Sequence, residues 1–79
     1  MHERSIDVLA RARAAGPLAA GSFRVVTYEP DARVTWRDFT DRALALTYAD
    51  DAASETETGI VLSYVLDDHL RIVHEGKHY

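Results

Sequence analysis

The stretch from Val34 to Leu46, VTWRDFTDRALAL, decides how the rest of the chain is read. With Thr35 as N-cap, Asp38 falls at the third helical position, a capping-box-like pair with Asp in place of the usual Glu. Val34 before the cap can then pack on Phe39 as a hydrophobic staple. Trp36, Phe39, Ala43 and Leu46 form an apolar stripe, widened by Leu44 and Tyr48. Arg37 with Asp41, and Asp38 with Arg42, add i,i+4 ion pairs. This reading predicts a helix running to about Ala53.

Toward the N-terminus, Phe23 to Glu29 (FRVVTYE) is rich in β-branched and aromatic residues and reads as a strand. Glu29-Pro30-Asp31-Ala32 suits a type I turn after it. Residues 2–15 read as a first helix, with Ser5 offering a cap and Ile6, Leu9 and Ala10 sharing a face. Gly16 and Pro17 stop that helix, and residues 16–22 follow as a loop. Arg11 and Arg13 interrupt the apolar stretch of this segment, which leaves no secretory core.

Toward the C-terminus, Ser54 to Gly59 reads as a polar loop. Gly59–Leu66 (GIVLSYVL) and Leu70–Glu75 (LRIVHE) read as a hairpin. A three-residue loop at Asp67-Asp68-His69 groups Ile60, Leu62, Tyr64 and Leu66 with Leu70 and Ile72 on one face, whereas a two-residue loop would set them against Arg71 and Glu75. The longer loop needs a left-handed residue near its end, for which His or Asp is suited. The other face then carries Val61, Ser63 and Val65 beside Arg71, Val73 and Glu75. That is more apolar than a solvated face requires, so either the first helix or another molecule covers it.

The expected architecture is a single α+β domain over residues 1–79, ordered α-β-α-β-β. A three-stranded, mostly antiparallel sheet carries two helices packed on it. A chain of 79 residues has no room for a second domain, and 47% hydrophobic content is too high for a disordered one. The absence of cysteine removes disulfide frameworks, thiolate metal sites and cysteine nucleophiles. No apolar run is long enough to span a membrane.

His74-Glu75-Gly76-Lys77-His78 matches H-E-x-x-H letter for letter. That chemistry needs two imidazoles one helical turn apart with the Glu beside them. Here the match falls at a strand end, is broken by Gly76, and brings no third ligand. It reads as coincidental, leaving at most an adventitious metal site at His74 and His78 and no catalytic residues. No cofactor is expected, because no glycine-rich phosphate loop or nucleophile elbow occurs.

Charge is uneven. Residues 1–37 hold six Arg against four acids, while residues 38–79 hold three bases against nine acids, giving −4 overall. Arg4, Arg11 and Arg13, with Arg24, Arg33 and Arg37 beyond them, offer a nucleic-acid alternative, although the overall balance is acidic and no aromatic-basic interleaving of the single-strand-binding kind appears. Asp50, Asp51, Glu55 and Glu57 cluster near the end of the second helix as an acidic patch. The resulting expectation is a small, acidic, cytoplasmic, non-enzymatic protein of bacterial or phage type. It acts by binding another protein, or itself as a homodimer, in the manner of inhibitor, immunity or anti-defence proteins. The candidate surfaces are the valine face (Val61, Val65, Val73, with Arg71) and the acidic patch.

Overall fold

Residues 34–39, expected to open a helix, are extended. A computed structural model describes Ala10 and residues 13–31, 33–57 and 59–76. In it β1 (Phe23–Tyr28) pairs antiparallel with β2 (Val34–Phe39), Phe23 opposite Phe39 through to Tyr28 opposite Val34. Val34, Thr35, Trp36 and Phe39 favour a pleated surface, and a neighbouring strand lets each of them use that preference. Asp38 does not serve a helical turn. It lies directly across from Arg24 and takes its guanidinium in a two-pronged contact.

The helix begins later. In α1 (Arg42–Ala52) the N-cap is Asp41, whose side chain accepts from the N–H groups of Ala43 (2.8 Å) and Leu44 (3.4 Å). The end near Ala53 agrees with the sequence reading, since Ala53 is the C-cap. Beyond it, the expected polar loop contains a short strand, β3 (Ser54–Thr56), paired with the start of β4 (Gly59–Leu66). The last strand is β5 (Ile72–Glu75).

The α+β class holds, but the three-stranded sheet with two helices does not. The described residues form five antiparallel strand segments and one long helix, because the segment read as the front of a helix is a strand. The first helix expected over residues 2–15 falls largely outside the described residues. At its end Arg13 and Ala14 are helical, and Gly16, at φ +109°, donates its N–H to the Arg13 carbonyl. At such a left-handed φ glycine avoids the backbone strain that a side chain would bring.

The strand order is β2-β1-β4, with β3 and β5 both on the far side of β4. One sheet face meets α1, where Val25 and Val65 pack on Ala45 and Ala49, flanked by Phe23, Phe39 and Leu46. Val26 and Leu66 lead the opposite face, with Tyr28, Val34 and Leu70 against them. Across this second face lies the segment before β1. Arg24 Nη1 donates to the Gly16 carbonyl at 2.7 Å, Arg13 Nε to that of Leu70 at 3.3 Å, and Gly21 N–H to the Asp68 carboxylate at 2.8 Å.

The β4–β5 connection has three loop residues, one position later than expected. Asp67 N–H donates to Arg71 O, Leu70 N–H closes the turn on Asp67 O, and the left-handed residue is Leu70 (φ 61°). The backbone cost of that conformation is borne by packing, since Leu70 lies against the Val26–Leu66 cluster. A bulge then intervenes: Leu66 faces Ile72, but Val65 faces His74. The extra residue reverses the parity of β5, which turns His74 toward the helix side.

β5 is held tightly against α1. Gly76 N–H donates to Ser63 O at 2.9 Å, and the buried Ser63 hydroxyl donates to Ala49 O at 2.5 Å. A Cβ on Gly76 would collide with Ser63 Oγ and with the Ala49 carbonyl. Gly76→Ala should therefore destabilise the fold by about 2–3 kcal/mol, because the Ala49 carbonyl is helix backbone and the Ser63 hydroxyl is buried and bonded to it, so neither yields cheaply; urea unfolding monitored by circular dichroism measures it.

The turn carries its own pH dependence. Asp67 Oδ1 accepts from the N–H groups of Arg71 and His69, both at 2.9 Å. The bond from Arg71 is the largest influence holding this carboxyl below its ordinary value, aided by the His69 bond and the nearby positive charge, against some desolvation. A carboxyl whose pKa is lowered on folding adds stability above its unfolded value and loses it as pH falls through the folded one. The His69 and Arg71 amide signals should therefore titrate together in an NMR series, with a midpoint below the ordinary aspartate range. In Asp67→Asn that titration should vanish.

Candidate protein-binding edge

Among the described residues β2 has a neighbour on one side only. Along it Thr35, Trp36, Arg37 and Asp38 are all exposed. The helix lies over β1 and β4 and only grazes β2. Trp36, on the face away from the helix, keeps 46% of its surface in water. On the helix side Leu44 (60%) and Tyr48 (37%) continue the apolar surface past Phe39.

Open strand edges are normally guarded by charges, prolines or bulges. β2 has neither proline nor bulge, and its charges are engaged within the chain. Asp38 is bound to the buried Arg24 (Nε–Oδ1 2.7 Å, Nη2–Oδ2 3.1 Å), and Arg24 itself is 3% exposed. Arg37 lies over two rings, 5.4 Å from the Phe39 centroid and 5.5 Å from that of Tyr48, which are tilted against each other at 5.2 Å. Among the described residues the strand thus presents backbone with no strand partner, between an exposed indole and a capped aromatic pair.

The opposite side of the sheet is better closed. β3 and β5 between them cover β4, and each is short. Ile72 and Val73 are exposed there, but the bulge breaks the regular spacing of the edge.

The residues singled out from sequence are dispersed. Val65 is fully buried and Val61 nearly so, on the face that α1 covers. They are therefore core residues, the cover being the second helix rather than the first or a partner. Val73 and Arg71 are exposed on or beside β5. Of the acidic patch, Asp50 pairs with His74 (Oδ1–Nε2 2.8 Å), Asp51 is exposed in the last helical turn, Glu55 lies on β3, and Glu57 is exposed in the following turn. Arg4, Arg11 and His78 lie outside the described residues, while Arg13 is bound to the Leu70 carbonyl.

The H-E-x-x-H match is set on a strand as far as Glu75. His74 points toward Asp50, so Glu75 points to the other face, and Gly76 is required by its contact with Ser63 and Ala49. Among the described residues no group of three or more His, Asp or Glu gathers in metal-binding geometry. No helix among them is long and apolar enough to cross a membrane. Trp36 and Tyr48 were visible in the sequence as apolar residues. Their exposure was not, because a helical reading turns both into one core stripe.

No protein-family model, curated protein or solved structure matches the chain.

Removing the Asp38 carboxylate would take both prongs of this contact from the buried Arg24 guanidinium. Asp38→Ala should cost about 2–4 kcal/mol, less than for a wholly buried pair because Asp38 is half exposed; the shift in denaturation midpoint reads it directly.

Proposed function

We propose that this protein acts by binding another polypeptide along β2, with Trp36 as the anchor, and that it does so without catalysis. The observation that carries the reading is the combination of a six-residue edge, open among the described residues, with an exposed tryptophan, on a strand whose two charges are both occupied internally. Strand addition supplies main-chain hydrogen bonds, while side chains on alternate faces supply selectivity. Tryptophan and arginine are the residue types most enriched among binding hot spots. An acidic small inhibitor or immunity-type protein working in the cytoplasm suits the size and the charge of −4.

Affinity capture from an extract of the source cells tests this. A protein retained by the wild-type chain should be depleted at least tenfold with Trp36→Lys, once circular dichroism shows the variant folded. Identical capture by both chains would remove β2 from the interface.

A further inference from the structure

The hydrogen-bond parity of β2 points to a specific occupant. Glu29 N–H donates to Arg33 O at 2.9 Å, which marks that facing pair as a hydrogen-bonded one. Such pairs alternate along an antiparallel ladder. The N–H and C=O groups of Thr35, Arg37 and Phe39 therefore turn toward β1, and those of Val34, Trp36 and Asp38 turn outward.

We propose that the occupant of this edge is a second copy of the chain, with β2 pairing antiparallel to itself about a two-fold axis through Trp36. The proposal rests on the reading of β2 as a binding edge. An axis perpendicular to the sheet keeps each face continuous, so Trp36 faces Trp36 of the second copy. Thr35 then faces Arg37, and Val34 faces Asp38. All three outward residues meet outward residues, giving about six backbone hydrogen bonds. Sliding the register by two residues in one direction sets Arg37 against Arg37. Sliding it in the other centres the axis on Thr35, and either slip leaves about four hydrogen bonds.

The central register is thus the one that pairs most backbone and opposes no like charges. It also places two indoles side by side at the axis, where a cross-strand aromatic pair adds to the ladder. Both charges near the axis retain their internal partners, Asp38 on Arg24 and Arg37 on its rings, so pairing does not strand a charge. The joined sheet would run β4-β1-β2-β2-β1-β4 through its centre, with a helix on the same face of each half. Six residues per chain make a contact smaller than the ~800 Å² per partner of a standard complex, so dissociation falls in the range of roughly 10–500 µM.

Trp36 is the only tryptophan, and the chain has no cysteine, so both the emission and an introduced thiol report on this axis alone. From about 5 µM to about 1 mM, sedimentation velocity should show monomer passing to dimer. Trp36 emission should shift to the blue over the same range. Trp36→Lys should remain monomeric throughout. As a second line, Thr35→Cys and Arg37→Cys chains mixed under mild oxidation should form the mixed disulfide. The expected Cα separation of a non-hydrogen-bonded pair, ~4.5 Å, lies within disulfide reach.

A monomer at about 1 mM with unchanged emission would overturn the proposal, as would a dimer unaffected by Trp36→Lys. Preferential Thr35→Cys homodisulfide would overturn the register. If the chain stays monomeric while a foreign protein is still captured through Trp36, only the self-pairing fails. If neither occurs, the binding role of β2 fails with it.

Discussion

The Arg24–Asp38 pair is the contact on which the arrangement of the sheet depends. It joins residues directly opposite each other on β1 and β2, so it specifies the register of that hairpin as well as stabilising it. A one-residue slip would exchange the faces of β2 and break the two-pronged contact to the buried guanidinium. The same guanidinium donates to the Gly16 carbonyl, so the chain leading into β1 is drawn across the sheet by the group that holds β2 in place. In a domain this small, with no disulfide, a charged pair that organises three segments adds specificity where the apolar core is thin.

Much of this was legible in sequence, and the errors have a common cause. β1, the helix end near Ala53, β4 and the stop at Gly16 follow from local signals: β-branched runs, a polar break, a left-handed glycine. The hairpin loop length was also legible, although Leu70 rather than His or Asp takes the left-handed position. Packing against Val26 and Leu66 outweighs its local preference there. The segment 34–40 carries two competing codes. Thr35, Asp38 and Phe39 fit a helix start, while Val34, Thr35, Trp36 and Phe39 fit a strand, and the local sequence does not rank them. The decision is made by Arg24, fourteen residues away, which needs Asp38, and by Asp41, which caps the helix once β2 is extended. Such non-local terms override propensity and leave no mark within a short window.

The candidate site was displaced by the same error. Reading 35–53 as one helix buries Trp36 and leaves the valines of β4 in search of a cover. With β2 restored as a strand, α1 covers Val65 and Trp36 turns outward, so the apolar surface moves from the middle of the sheet to its edge. The described part of the H-E-x-x-H match is shaped by packing. The bulge in β5 directs His74 to Asp50, and Gly76 fits the space left by the Ser63 hydroxyl and the Ala49 carbonyl.

The pairing of β1 with β4 also governs the order in which the fold can assemble. β1 and β2 are neighbours in the chain and can close as a hairpin early, yet the inner edge of β1 has no mate until residues 62–66 exist. During synthesis at the ribosome the hairpin therefore passes through an interval in which the backbone groups of Arg24, Val26 and Tyr28 await β4 and the side chain of Val25 awaits its cover. The long-range zipper to β4 ends that interval, and it seats the helix in the same step because Val65 and Ala49 belong to one cluster. Translation speed across residues 40–66 thus becomes a determinant of yield: a pause there prolongs the one stage at which the chain is most prone to pair with the wrong strand.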